Sequence, residues 1–173
     1  MLLYTIDLCD ENQIIIWCRF DHEIQDIETV LKDDYGAENV CLLYGALNTK
    51  KRQSNLDRFA SGARFLIANK ACASFSLNLQ YCHIAIYYNN DWDWATRQQS
   101  EDRIHRIGQN EQVEIINICA NRKIDERILT CLAKKERMTD EFKRLLKQKN
   151  LSYTNLIGWI DGREIEDDTN RIA

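Results

Sequence analysis

The sequence predicts an α/β domain in which a central, mainly parallel sheet is flanked on both faces by helices, with a helical extension at the C-terminal end. Short, continuously apolar runs alternate along the chain with amphipathic or polar segments. Strands that are apolar throughout are typical of a parallel sheet covered on both faces. The chain has 173 residues, 45% hydrophobic and 29% charged, which is the composition of one globular domain with a core large enough to fold alone.

Five apolar runs are the predicted strands. Each is short and rich in β-branched or aromatic residues, which favours a strand over a helix. Their alternation with helical segments indicates parallel pairing. In chain order they are QIIIWC (13–18), VCLLY (40–44), RFLIA (64–68), HIAIYY (83–88) and VEIINIC (113–119).

Helices are predicted between the first three strands. Asp21 is the expected cap of the first helix, and Asn48 or Thr49 the expected cap of the second. On both segments apolar residues recur at the spacing of one helix face. These predicted helix-face residues are Ile24, Ile27, Leu31, Leu56 and Phe59.

Two further helical segments follow. Residues 94–105 are predicted to form a helix with few apolar positions, and from Ile124 the apolar spacing continues to about Asn150, as one long helix or two abutting ones. The periodicity fails beyond that point. We therefore expect a domain over residues 1–150, and over 151–173 a loosely held acidic tail or a brace for a neighbouring domain.

Charge and cysteine content exclude several classes of protein. The net charge of -4 at pH 7 does not indicate a nucleic-acid binder, so any such site must be a local basic patch. The seven cysteines include no Cys-x-x-Cys pair and no histidine spaced to complete a zinc site, so no metal site is predicted. Several lie inside apolar runs, which is typical of a reducing compartment. No signal peptide, membrane span or membrane partner is predicted, and we expect a cytoplasmic protein, or a nuclear one in a eukaryote.

The segment from Gln98 to Gln109, QQSEDRIHRIGQ, is the most informative part of the chain. It fits the pattern Gln-x-x-x-Arg-x-His-Arg-x-Gly-Gln at every fixed position. On a helix, Gln99, Arg103 and Arg106 would fall at i, i+4 and i+7, and so face a common ligand. Arginine suits a phosphate ligand, because its planar fork stays charged and binds phosphate oxygens bidentately.

This segment resembles motif six of the superfamily-two helicases, in the form typical of the Swi/Snf family. Other segments resemble further parts of that family in the same order, so the resemblance covers roughly residues 13–130. It implies a RecA-like helicase C-terminal lobe. The matching segments are QIIIWCRF (motif four), LLYGALNTKKRQSNLDRF (a strand and a basic helix), FLIANKACASFSLNLQ (motif five), NNDWDWATRQQ (the link into motif six) and VEIINICANRKIDERIL (the strand and helix after it).

The resemblance implies a share in an ATPase site that lies across a cleft between two lobes. Arg103 and Arg106 would be the catalytic arginines, and Gln99, Asn78 and Gly108 would contact ATP. ATP and Mg²⁺ would be bound mainly by the N-terminal RecA-like lobe of the same polypeptide, since no G-x-x-x-x-G-K-[ST] loop occurs here and no Walker-B acidic pair follows a suitable strand. We expect this chain alone to hold no cofactor and to hydrolyse ATP inefficiently.

The resemblance also implies a track for double-stranded DNA, contacted largely through phosphates. The candidate contacts are Lys50, Lys51 and Arg52 at the start of a helix, and Asn69 with Lys70 in motif five. Spacing alone favours an ordinary solvated helix face for the first three residues. The family register favours DNA contact instead.

Three residues depart from the family pattern. Ser74 and Ser76 stand where the family usually has glycine, and a position that needs φ > 0 would cost serine about 1 kcal/mol or more. We therefore expect either attenuated activity or a rebuilt loop. Trp94 stands where the remodeller branch commonly has proline, which favours a bacterial or phage-like branch.

Two functions remain open. One is half of an ATP-dependent DNA translocase, and the other is a free-standing, non-catalytic module that binds nucleic acid or a partner. A Rossmann dinucleotide-binding domain is excluded, because no G-x-G-x-x-G follows any strand. A reading frame that extends upstream into a Walker-A loop would favour the translocase, and the start close to a motif-four strand leads us to expect a fragment of such an enzyme.

Overall fold

The structure is a computed structural model of the whole chain. It describes residues 1–74, 77–91, 93–119 and 123–133. The predicted continuation of the last helix beyond residue 133 and the predicted tail at 151–173 lie outside the described residues.

A five-stranded sheet is the centre of one compact unit, which comprises Met1–Asn89 and Ala95–Ile118. The strands are β1 Ile14–Cys18, β2 Val40–Leu43, β3 Phe65–Asn69, β4 Ile84–Tyr87 and β5 Glu114–Asn117. Their order is β2-β3-β1-β4-β5, and every pairing is parallel. Each strand overlaps the apolar run predicted for it, so the predicted parallel sheet is confirmed.

Helices lie on both faces of the sheet. They are α1 Leu2–Asp7, α2 Asp21–Tyr35, α3 Thr49–Ala60 and α4 Trp94–Glu101, with 3-10 turns at Ala37–Asn39 and Lys70–Ser74. A fifth helix, α5 Lys123–Ala133, belongs to the second unit. α1 and α2 contribute Ile6 and Ile24 to the core on one face, and α3 contributes Phe59 to the core on the other. α4 joins the α3 face, since the hydroxyls of Ser100 and Tyr87 lie 2.6 Å apart. Two helical layers around a parallel sheet are the predicted RecA-like arrangement.

The starts of α2 and α3 are set by different residues. Asn48 caps α3, because its Oδ1 accepts a hydrogen bond from the Lys51 N–H at 2.8 Å. Asp21, the predicted cap of α2, is instead its first helical residue, so that prediction is wrong. Phe20 occupies the N-cap position in an extended conformation, and its N–H donates to the Glu23 carboxylate at 3.0 Å, which satisfies a backbone donor at the helix start.

The carboxyl ends of the parallel strands meet at one edge of the sheet, where ligands of open α/β sheets bind. Side chains at the end of β3 bridge to the chain that follows β1 and β4. Asn69 donates from Nδ2 to the Arg19 carbonyl at 3.0 Å, and Lys70 donates from Nζ to the Asn89 carbonyl at 3.2 Å. The ends of β1, β3 and β4 are thus tied together at this edge.

The second compact unit comprises Asn90–Trp94 and Cys119–Ala173. Its described part contains α5, which begins one residue before Ile124, the predicted start. Ile128 and Leu132 lie one turn apart on α5 and are both buried. None of the helices in the described ranges is long and apolar enough to cross a membrane.

Candidate functional site

In the segment from Gln98 to Gln109, the helix ends before Arg103 and Arg106. α4 ends at Glu101, so the prediction of a helix to residue 105, with both arginines and Gln99 on one face, is wrong beyond that point. The N–H of Arg106 bonds to the carbonyl of Ile104 at 3.0 Å, a tighter turn than an α-helix makes. Residues 103–109, called the arginine loop from here on, therefore extend from the end of the helix as a turn.

One end of the arginine loop is held by residues 77–82, which we call the motif-five segment. The N–H of Leu79 donates to the carbonyl of Arg103 at 3.1 Å. The side chain of Ile104 is fully buried in the same core cluster as Leu77 and Leu79. The two sequence motifs are therefore packed directly on each other.

The other end of the loop is held by a side-chain amide and a close approach. Gln109 donates from Nε2 to the Cys82 carbonyl at 3.0 Å. Gly108 has φ +102°, and a Cβ added there would lie 3.0 Å from Nε2 of Gln80. The backbone conformation at position 108 therefore requires glycine, and the space there is tight.

The predicted ATP-site residues differ in exposure. Arg106 and Gly108 are exposed in the arginine loop, Asn78 is exposed in the motif-five segment, and Gln99 is exposed on α4. Arg103 is half-buried. Within the described ranges the Arg106 guanidinium makes no hydrogen bond and no ion pair, so its donors are available to a ligand.

α4 is anchored by a buried arginine that the sequence analysis did not identify. Arg97 is 6% exposed, and its guanidinium carbon lies 3.3 Å from the centroid of the Tyr87 ring. It pairs with Glu101 one turn along the helix and donates from Nη1 to Asn117 Oδ1 at 2.8 Å. The i, i+4 spacing of Arg97 and Glu101 was the available sequence signal. Cation–π and ion-pair contacts strengthen when they are desolvated, so Arg97 fixes the helix that precedes the arginine loop.

The three basic residues at the start of α3 differ in exposure and in their contacts. Lys50 and Lys51 are exposed, whereas Arg52 is half-buried. Nη2 of Arg52 donates to the Gly45 carbonyl at 2.6 Å, which closes the loop between β2 and α3. Of the three predicted DNA contacts here, the two lysines face solvent.

Asn69 and Lys70, the other predicted DNA contacts, are engaged in the edge of the sheet. Asn69 accepts a bond from the Ala71 N–H at 3.0 Å with its Oδ1, besides donating from its Nδ2. Lys70 is 3% exposed, so in this conformation its ammonium contacts protein rather than solvent. Sequence reasoning could not detect this, because a lysine after a strand is usually solvated.

Of the two serines that stand where the family usually has glycine, Ser74 lies within the described residues. Ser74 ends the 3-10 turn Lys70–Ser74. Among the described residues, Asp10 is the non-glycine residue with positive φ, so Ser74 carries no left-handed strain. Ser76 lies outside the described residues.

The buried cysteines are packing residues, namely Cys9, Cys18, Cys41, Cys72 and Cys82. Burial is the main cause that raises the pKa of Cys18 and of Cys82 to about 12. A thiol with so high a pKa stays protonated near neutral pH, and a protonated thiol is a poor nucleophile and a poor metal ligand. No three His, Cys, Asp or Glu side chains within the described ranges come together as a metal-binding group.

A parallel sheet between two helical layers, with an arginine loop packed on a motif-five segment, defines a RecA-like helicase lobe. The family model described as "Helicase conserved C-terminal domain" matches residues 2–108. The chain belongs to this family, and its relatives and structural neighbours are of the Swi2/Snf2 type.

Three known proteins illustrate the similarity. An Arabidopsis thaliana protein, a putative SWI/SNF-related matrix-associated actin-dependent regulator of chromatin, subfamily A member 3-like 1, is 30% identical over 139 residues, which are 78% of this chain and 16% of that protein. The crystal structure of the C-terminal part of the Fun30 ATPase domain matches with a TM-score of 0.65 at 25% identity, over 76% of this chain and 42% of that one. The Sulfolobus solfataricus SWI2/SNF2 ATPase core domain matches in fold with a TM-score of 0.65 at 24% identity, over 95% of this chain and 34% of that one. The chain therefore spans only a small part of the Arabidopsis relative and less than half of each solved structure.

Proposed function

We propose that this chain is the C-terminal lobe of an ATP-dependent double-stranded DNA translocase of the Swi/Snf type, and that it works only with an N-terminal ATP-binding lobe. The observation that carries the proposal is the state of Arg106. Its guanidinium is exposed and without a partner in the described ranges, while the loop that bears it is held at both ends. A guanidinium that is solvent-exposed on a fixed loop can bind an anionic ligand that another surface presents.

The residues of the loop fit a phosphate ligand. ATP with Mg²⁺ would supply the phosphoryl group that is transferred. Arg106 would neutralise charge on the phosphate oxygens through two parallel N–H donors, with Arg103 beside it and Gln99, Asn78 and Gly108 around the nucleotide. Because the sequence has no loop that cradles the β- and γ-phosphates, those phosphates and the metal ion would be held by the other lobe.

The test is ATP hydrolysis by the protein that carries this chain together with its ATP-binding lobe. Arg106→Ala should lower DNA-stimulated turnover by roughly 10³ to 10⁵, while nucleotide binding stays within about tenfold. Arg106→Lys should rescue little, because an ammonium keeps the charge but lacks the planar fork. Gln98→Ala, an exposed neighbour on α4, is the matched control and should behave as wild type.

Two outcomes would overturn the role of Arg106. Hydrolysis near the wild-type rate in Arg106→Ala would show that it does not act on the phosphate. Unfolding of this chain by the same change would show that the arginine is structural, since a solvated side chain should leave the melting temperature unchanged.

ATP hydrolysis measured on the chain alone and on the two-lobe protein together separates the two candidate functions. The chain alone should hydrolyse little ATP with or without DNA, and robust turnover by the purified chain would contradict the two-lobe proposal. DNA binding without turnover in the two-lobe protein would favour a non-catalytic binding module instead.

For the DNA track we assign the phosphate contacts first to Lys50 and Lys51, because they are exposed. The loops at the same edge would be held in place by the hydrogen bonds of Arg52, Asn69 and Lys70 to backbone carbonyls. Binding of duplex DNA to the chain should be weak and steeply salt-dependent. Replacing both lysines by alanine should weaken binding and lower the slope of log K against log salt by about two.

Lys32→Ala is the matched control for these lysines. Lys32 lies on α2 and pairs with Glu28, so its removal should leave the slope unchanged. Affinity that does not change between low and high salt would contradict the proposed track.

The bacterial or phage-like branch suggested by Trp94 stays a prediction.

A further inference from the structure

We infer that Gln109 is a positioning residue whose side-chain amide clasps the arginine loop onto the motif-five segment and so sets where Arg106 points. The inference rests on the proposed function, because it assigns Gln109 a role through Arg106. Gln109 itself need not touch the nucleotide.

The amide of Gln109 is used at both of its polar atoms. Nε2 donates to the carbonyl of Cys82 at 3.0 Å, and Oε1 accepts from the N–H of Glu111 at 2.9 Å. Exchanging the oxygen and nitrogen of the amide would set acceptor against acceptor and donor against donor. The side chain therefore has one orientation that satisfies both neighbours.

The backbone of Gln109 connects this clasp to Arg106. The N–H of Gln109 donates to the carbonyl of Arg106 at 3.0 Å, which closes a tight turn through Gly108. The opposite end of the loop is fixed independently by the bond from Leu79 to Arg103. Without the Gln109 amide, the turn that carries Arg106 would keep its internal bond but lose its side-chain tie to Cys82.

Two variants remove the clasp in different ways. Gln109→Glu keeps the size and the acceptor for the Glu111 N–H, but it loses the donor to Cys82 and sets a carboxylate against a carbonyl oxygen. Gln109→Ala removes both bonds. Gln98→Ala is the control, since Gln98 is an exposed glutamine on α4, the helix that precedes the arginine loop.

In the two-lobe protein both Gln109 variants should lower DNA-stimulated kcat by roughly tenfold to a hundredfold, the loss that a misplacement of about 1 Å produces. The KM for ATP should stay within about threefold, because the other lobe makes most of the nucleotide contacts. A residue that merely stabilised the fold would not produce this split between kcat and KM.

Hydrogen exchange on this chain gives a readout that does not depend on turnover. Gln109→Glu should speed exchange in residues 102–111 and leave the amides of α3 protected, because only the loop is released. A melting temperature lowered by more than about 10 °C, with protection lost throughout the sheet, would make Gln109 structural and overturn the inference.

The Arg106→Ala variant, measured in parallel, separates this inference from the proposed function. If Arg106→Ala abolishes turnover while both Gln109 variants match Gln98→Ala in kcat and KM, the positioning role is wrong and the function of Arg106 stands. If Arg106→Ala also hydrolyses ATP at the wild-type rate, the proposed function fails and the positioning role fails with it. Both the positioning role and the proposed function are supported if the Gln109 variants lose kcat without a change in KM, and if faster hydrogen exchange is limited to the arginine loop and its flanking residues.

Discussion

Replacing Gly108 by alanine should destabilise the chain by about 1–3 kcal/mol, the usual cost of holding a residue in a sparsely populated backbone region. The structure gives two separate causes. The residue has φ +102°, and an added Cβ would lie 3.0 Å from Nε2 and 3.1 Å from Oε1 of Gln80. The backbone term should dominate, because the end of a glutamine side chain can move by a few tenths of an ångström at little cost.

Thermal and urea unfolding in reducing buffer measure this effect. At roughly 2–4 °C per kcal/mol for a chain of this length, the melting temperature should fall by about 2–12 °C. Gly45→Ala is the matched control, since an added Cβ there has no atom within 4 Å, and it should be neutral or stabilising by up to about 1 kcal/mol. The Gly108→Ala, Gln80→Ala double variant removes the close contact and keeps the backbone strain.

The double variant should therefore recover only a small part of the loss. If Gly108→Ala stays within about 0.5 kcal/mol of Gly45→Ala, a difference typical of an inconsequential surface substitution, the tight turn at position 108 is not fixed in solution. That result would refute the reasoning that position 108 requires glycine.

Three further predictions concern the frame around the site. Arg97→Met should cost about 2–4 kcal/mol in urea unfolding, because it leaves the partly buried Glu101 carboxylate without its partner; a loss below about 0.5 kcal/mol would show that this pair is dispensable. In alkylation with iodoacetamide near neutral pH, the half-exposed Cys119 should react before Cys18, since burial raises the pKa of the Cys18 thiol to about 12 and keeps it protonated; equal rates measured by peptide mass spectrometry would contradict this. Asn48→Ala should cost about 1 kcal/mol, because the N–H that Asn48 caps would lose its acceptor, and an unchanged urea midpoint would argue against the cap.

The strands could be predicted from the sequence because their signal is local. Runs such as IIIWC at 14–18 are apolar at every position, and burial on both faces is the one environment that accommodates such a run. The end of α4 could not be predicted in the same way. Residues 102–105 have no strong helix breaker, and the chain turns where Ile104 enters the core and Leu79 bonds to Arg103, which are tertiary contacts.

The site shows the same division. The pattern around Arg103 and Arg106 identified the segment, since residue types at fixed spacing are visible in the sequence. Burial of a charged side chain is not visible there. Arg97 was therefore not identified as an anchor, and Lys70 was grouped with surface contacts although it is 3% exposed.

The strand order has a consequence for how the protein is made. β1 lies at the centre of the sheet, and Ile14 pairs with Phe65 on one side and with Ile84 on the other. During synthesis at roughly 5–20 residues per second, the fully apolar β1 must wait several seconds for its partners to emerge. Contacts so distant in sequence form slowly in refolding as well. The chain has no proline, so prolyl isomerisation adds no slow step to its folding. The interval in which β1 is unpaired is one in which its apolar surface is open to aggregation.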